Sequence, residues 1–88
     1  MPSDPNDVRE AVRGFLLREF LPGEDPAELT DETPLITGAI LDSISTLKLV
    51  VFLEETFHVT VEAHEAGPDH LDTVGRIVDL VARKDRAA

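Results

Sequence analysis

The residue best placed to do chemistry is Ser43, preceded by Asp42 and followed by an apolar, helix-patterned stretch that runs to about Phe57. A hydroxyl at a helix start sits beside backbone N–H groups that have no intrahelical partner, at the positive end of the helix dipole. Both favour an attached phosphodiester. The same position suits a plain N-cap, in which the serine oxygen accepts from a first-turn N–H. Asp42 can cap as well, and two capping residues in a row leave one side chain free. No Gly-x-Ser-x-Gly elbow and no local base accompany the serine, so chemistry at its oxygen has to be done by another enzyme.

Other chemistry-bearing residues form weaker patterns. His58, His64 and His70 recur every six residues, which is not one face of a helix, and no His-x₃-His pair accompanies them. They read as surface histidines. Glu24, Asp25, Asp31 and Glu32 make an acidic loop without the central glycine of an EF-hand, and a solvated loop is the expectation. An enzyme using that loop as an acid–base pair has little support, because nothing holds two carboxylates in a cleft.

The elements that must position Ser43 follow from caps and periodicity. Asp4-Pro5 opens a helix whose apolar residues Val8, Val12, Phe15 and Leu16 recur at helical spacing, and Leu21-Pro22-Gly23 ends it, giving a helix over 5–20. Residues 22–42 hold Pro22, Gly23, Pro26, Pro34 and Gly38, so they form a long connection with at most one helical turn at 25–29. Leu35, Ile36, Ile40 and Leu41 are available to pin it to the core. The second helix spans 43–57. Val59-Thr60-Val61 is an extended linker, and Gly67-Pro68-Asp69 starts a brief third helix through Leu71. Asp72-Thr73 caps a last helix with Val74, Ile77, Val78 and Val81 on one side, and Arg83 and Lys84 near its negative end. Gly14 and Gly75 fall inside helices, where close helix approach would explain them. The fold expected is all-α: a four-helix bundle with a long loop between helices 1 and 2 and a short third helix, as one domain over 1–88 with its core at about 5–84.

Composition narrows the function. The chain has 88 residues, no cysteine and a net charge of −10. Its length allows a modest core and no deep cavity. The absent cysteine excludes disulfides and thiol catalysis. The negative charge repels phosphate backbones, so no nucleic-acid partner is expected. No apolar run reaches the roughly 18 residues of a membrane span. Met1-Pro2-Ser3-Asp4 does not read as a secretory signal, and the cytoplasm is the expected location.

On a helical wheel the second helix carries two apolar sectors. Leu49, Val50, Leu53 and Phe57 form one, the core face; Ile44, Leu47 and Val51 form the other, with Lys48 among them and Glu54 and Glu55 alongside. Phe52 lies between. A single small core needs one stripe. Either the long loop covers the second, or the second is a patch that docks other proteins.

Gly38-Ala39-Ile40-Leu41-Asp42-Ser43-Ile44 resembles the modification motif of the acyl and peptidyl carrier protein family. The similarity continues through Leu49-Val50 and Leu53-Glu54-Glu55-Thr56-Phe57, and again at Leu71-Asp72-Thr73-Val74, covering about residues 8–82. It implies that a phosphopantetheinyl transferase moves 4′-phosphopantetheine from coenzyme A onto Ser43, beside Asp42. It implies further that the arm's thiol carries an acyl or aminoacyl group as a thioester, and that the protein presents cargo without catalysing. The partners implied are that transferase, an acyl- or aminoacyl-loading ligase and downstream synthases, and a monomer is expected. The second stripe beside Ser43 makes Ile44, Leu47, Lys48, Val51, Glu54 and Glu55 the expected docking face. Fatty-acid-synthase carriers are similar but acidic early in the second helix, where this chain has Ser45 and Lys48. The expected setting is therefore secondary metabolism of polyketide or nonribosomal-peptide type, with a fatty-acid-synthase carrier as one alternative. A cofactor-free acidic helical adaptor is the alternative from another class.

Overall fold

The structure is a computed structural model that describes residues 4–87, with side chains through Lys84. The reading of Met1-Pro2-Ser3 as no secretory leader lies outside the described residues. Among the described residues four α-helices follow one another: α1 (Pro5–Phe20), α2 (Ser43–Phe57), α3 (Pro68–Leu71) and α4 (Val74–Ala87). Single 3₁₀ turns at Pro26–Glu28 and Ala63–Glu65 punctuate the connections, and no strand forms among the described residues. The all-α bundle expected from the caps and periodicity is the fold found.

α1, α2 and α4 each start where a side chain accepts from a free first-turn N–H, whereas α3 starts at Gly67-Pro68 with no side-chain cap. Asp4 accepts from the Asn6 N–H at 2.8 Å, with Pro5 in the first helical position. Thr73 Oγ1 accepts from the Arg76 N–H at 3.1 Å and so caps α4. Asp72, expected to share that cap, faces the long loop instead. α2 ends at His58 in the left-handed conformation (φ 55°), which turns the chain away after Phe57.

The core joins Val8, Val12, Phe15 and Leu16 of α1 to Leu49, Val50 and Leu53 of α2, Leu71 of α3, and Val74, Ile77, Val78, Leu80 and Val81 of α4. α1 and α4 make the most extensive helix pair. α1 and α2 are joined by an aromatic file: Phe15 stacks on Phe52 with ring centroids 4.3 Å apart, and Phe52 meets Phe57 edge-on at 6.2 Å. Phe57, expected in the core face, is only half-buried at the end of that file.

The long loop is packed down by Leu29, Leu35 and Leu41, none more than 2% exposed. Each contributes about 1.5–3 kcal/mol by leaving water. Ile36 and Ile40 lie half-buried at the core's edge. Polar ties add direction. Arg9 Nε donates to Asp31 Oδ2 at 2.9 Å, and the Arg13 guanidinium donates to the carbonyls of Leu29 and Pro26. Part of the acidic loop is therefore bound to α1 rather than merely solvated.

Two sequence expectations change, and the last helix gains side-chain ties. Gly14 has open space where a Cβ would go, so close packing does not account for it. Gly75 is approached by the loop, not by a helix: its N–H donates to the Asp31 carbonyl at 3.1 Å. Lys84 lies in the last turn of α4, which continues to Ala87, and its Nζ also reaches Glu65 Oε1 at 2.5 Å. Arg83 likewise meets His70 Nδ1 at 3.1 Å.

Three carboxyls sit below their ordinary range. Thr37 N–H donation holds Asp72 down, the Lys84 ammonium holds Glu65 down, and Ser45 N–H donation holds Asp42 down. A carboxyl depressed in the folded state contributes stability above its unfolded pKa and loses it as pH falls through the folded one. Unfolding free energy is therefore expected to be flat from neutrality to about pH 5 and to fall below about pH 4. Urea unfolding followed by circular dichroism across that range checks this. Asp72→Asn shallows the acid limb.

Candidate functional site

Ser43 opens α2 and is exposed. Asp42, in extended conformation one residue earlier, does the capping: its Oδ1 accepts from the Ser45 N–H at 2.7 Å. That resolves the ambiguity of two adjacent capping residues. The aspartate is committed to the backbone and the serine hydroxyl is left to solvent. The Thr46 N–H and Oγ1 both donate to the Asp42 carbonyl, at 2.9 and 2.8 Å, locking the first turn. The amides of Ser43 and Ile44 lie in the first turn, where no intrahelical acceptor is available, at the positive end of the dipole. An anionic ester carried on Ser43 meets favourable charge there.

On one side of Ser43 runs a surface groove of about 430 Å³, walled by Ile36, Leu41 and Thr46 and by Ala66, Gly67 and Pro68 at the start of α3. On the other side the second apolar stripe is open. Ile44, Leu47 and Val51 are 69%, 63% and 44% exposed. The long loop packs against the core and leaves them uncovered. With Lys48, Glu55 and Phe52, and with Phe15 and Glu19 of α1, they line a shallow apolar groove of about 580 Å³.

Of the partner-facing residues expected from the sequence, Ile44, Leu47, Lys48, Val51 and Glu55 come together on this face. Glu54 does not: it is half-buried, and its Oε2 accepts from the Val61 N–H at 2.9 Å, closing the linker after α2. Thr46 was missed. It is buried although polar, because its own helix start accepts its hydroxyl proton. The i−4 spacing from Thr46 to Asp42 was the available signal. Phe15 and Glu19 were missed as groove residues because they come from another helix.

His58 and His64 are exposed and His70 is half-buried. Among the described residues no group of three or more His, Cys, Asp or Glu is arranged for a metal ion. Nor is any helix there long and apolar enough to cross a membrane. A hydroxyl in the open, at a helix mouth flanked by a groove and an apolar face, can accept a group from an outside enzyme.

No family model matches the chain. Individual proteins do. A D-alanyl carrier protein of Streptococcus pyogenes serotype M1 is 41% identical over 80 residues, 91% of this chain and 98% of that protein. The D-alanyl carrier protein of Streptococcus pyogenes serotype M5 (strain Manfredo) matches to the same extent. One from Streptococcus suis (strain 98HAH33) is 36% identical over 75 residues, 85% of this chain and 91% of its own. Their names speak of an aminoacyl cargo, and none speaks of a polyketide or nonribosomal peptide. With the helical fold and near full-length identity at this level, the chain belongs to the phosphopantetheine-bearing carrier protein family that includes the D-alanyl carrier proteins, and it is a carrier rather than an enzyme.

Proposed function

We propose that this chain is a monomeric, single-domain aminoacyl carrier that holds D-alanine on 4′-phosphopantetheine attached to Ser43. The observation that carries the reading is the exposed Ser43 at the mouth of α2, with Asp42 doing the capping in its place. The cargo follows the relatives' name, and it replaces the secondary-metabolism setting expected from the sequence.

The residues present fit the group. Ser43 Oγ is accessible as phosphoryl acceptor: it forms the new O–P bond as the diphosphate of coenzyme A breaks, and its proton goes to a base of the transferase. The free amides at the start of α2 face the resulting phosphodiester. The groove along Ile36, Leu41, Ala66 and Pro68 gives an attached chain an apolar wall to lie against. When bound, the group supplies a terminal thiol to which an amino acid is joined as a thioester. A cytoplasmic location goes with this reading, since coenzyme A is the donor.

The ligase that loads the amino acid has to recognise the protein beside Ser43. Ile44, Leu47 and Val51 offer it apolar area, and Lys48 adds a positive charge where fatty-acid carriers are acidic. That charge favours a partner with an acidic counterpart and supports the aminoacyl reading over the fatty-acid one.

The test is loading in two stages. The protein is treated with coenzyme A and a broad-specificity transferase, then with a D-alanine-activating ligase, ATP and labelled D- or L-alanine. One D-alanine per chain, released by hydroxylamine, is expected. Leu47→Ala and Lys48→Glu are each expected to lower ligase kcat/KM about tenfold. A chain that gains phosphopantetheine but takes neither alanine removes the cargo assignment. One that gains nothing from coenzyme A supports the adaptor instead.

A further inference from the structure

A single residue outside the motif anchors the backbone that leads into Ser43. Asp72, in the corner between α3 and α4, is 36 positions from Ile36 in the chain. Its Oδ1 accepts from the Ile36 N–H at 2.9 Å and from the Thr37 N–H at 2.8 Å, and its Oδ2 accepts from Thr37 Oγ1 at 2.9 Å. Its backbone carbonyl accepts from the Leu35 N–H at 2.6 Å. The Leu35 carbonyl in turn accepts from the N–H groups of Ile40 and Leu41, at 2.9 and 2.8 Å. Leu41 is buried and leads directly into Asp42, whose carbonyl receives both Thr46 bonds. Hydrogen bonds through the Asp72 carbonyl and Leu35, and then the Leu41–Asp42 peptide link, join the α3–α4 corner to the first turn of α2, while the Asp72 carboxylate holds Ile36 and Thr37.

The segment it controls is not self-supporting. Gly38 is pressed against the Pro34 carbonyl, and Ala39 sits at φ 64°, a left-handed conformation that is unfavourable for a residue with a Cβ. Such backbone persists only where its surroundings over-determine it. Deleting the carboxylate removes the acceptor for three donors at once. The Ile36 amide, on a half-buried residue, is poorly placed to recover its bond from water. Most of the docking stripe does not rest on this tie. Ile44, Leu47 and Val51 ride on a helix held by Leu49, Val50 and Leu53 in the core.

We propose that Asp72 is a positioning residue for phosphopantetheinylation, holding residues 36–41 so that Ser43 is presented in register with the docking face on α2. The proposal rests on Ser43 being the attachment site. The Thr37 amide keeps the carboxyl below its ordinary range, so Asp72 is a full acceptor at neutral pH. Because binding and presentation are carried by different parts of the structure, Asp72 acts on turnover and not on capture of the carrier.

The experiment compares wild type, Asp72→Ala, Asp72→Asn and Thr37→Ala as acceptors from coenzyme A with a purified transferase. It reads kcat and KM for the carrier, together with amide hydrogen exchange. Asp72→Ala is expected to lower kcat about tenfold with KM changed by no more than about twofold, since misplacing a reacting group acts on turnover. Exchange speeds up at 36–41 while α1 and α4 keep their protection. Asparagine preserves the geometry: its Oδ1 accepts both amides and its Nδ2 donates to Thr37 Oγ1. Asp72→Asn is therefore expected within about threefold of wild type. Thr37→Ala loses one bond, stays folded even if Asp72→Ala does not, and is expected to fall between.

Wild-type kcat in both Asp72→Ala and Thr37→Ala overturns the proposal. So does an asparagine variant as slow as alanine, or protection lost equally in α1 and α4, which marks a general stabilising role. Failure of wild type to be modified at Ser43 removes the underlying reading instead, and is distinguished by peptide mapping of the wild-type reaction.

Discussion

Ser43→Ala protein is expected to fold as wild type does and to gain no phosphopantetheine from coenzyme A under conditions that convert wild type fully. The two halves of this expectation have separate causes. Ser43 is exposed and occupies the first helical position, where it caps nothing; Asp42 supplies the cap at 2.7 Å to Ser45. Alanine in that position removes only an exposed hydroxyl, so stability changes by no more than about 0.5 kcal/mol. Transfer, in contrast, needs the oxygen itself as acceptor, and the loss is complete rather than graded. Intact-mass spectrometry reads the transfer and a thermal melt reads the fold. Modification that persists in the alanine protein, at Ser45 for instance, ends the assignment of Ser43. Asp42→Ala gives the reciprocal pattern: a weakened helix start with the acceptor oxygen still present, hence slower transfer and a lower melting temperature together.

The second large effect is expected at Gly38. A Cβ there falls far inside contact distance of the Pro34 carbonyl oxygen, and 3.2 Å from the Pro34 ring. The obstacle is main chain, which cannot rotate away as a flexible side chain would. Gly38→Ala must therefore open the turn that brings Ile40 and Leu41 back onto the Leu35 carbonyl. Overpacking of this kind costs about 2–3 kcal/mol. For a chain of this size that corresponds to a fall in melting temperature on the order of 10–20 °C. Because Leu41 is buried next to Asp42, the displaced turn also moves the start of α2. Transfer to Ser43 is expected to slow even at temperatures where the variant is folded. A Gly38→Ala protein that melts with wild type would show that the turn gives way more easily than its packing suggests.

The legible part of the structure was the part written in local signals. Asp4-Pro5, Asp42-Ser43 and Thr73-Val74 mark helix starts through short-range bonds, so α1, α2 and α4 begin within a residue of where caps and periodicity put them. The short α3 was equally local, set by Gly67-Pro68. What was not legible depends on residues far apart in the chain. Asp72 reads as a cap from its neighbours, yet its carboxylate is taken by amides 35 and 36 positions away. Gly38 looks like any turn glycine until Pro34 folds back on it. Periodicity showed two stripes on α2 but not whether the loop covers one, because that depends on Leu29, Leu35 and Leu41 diving elsewhere. At the candidate site, the place of Ser43 at the start of α2 was legible from Asp42-Ser43 and the apolar run that follows. The cargo was not, since a carrier's specificity is set mostly by the enzymes that load and unload it.

The ties on the long loop have a mechanical consequence. Arg9 and Arg13 fasten it to α1, the Leu35 and Asp72 bonds fasten it to the corner before α4, and Leu41 sinks its end beneath α2. Ser43 therefore stands on a stiff plinth and cannot swing. On the proposed attachment at Ser43, the reach of the loaded carrier comes from its tether and from tumbling of the whole body. Enzymes that exchange the cargo must each bring their own catalytic centre to within one tether length of the same face.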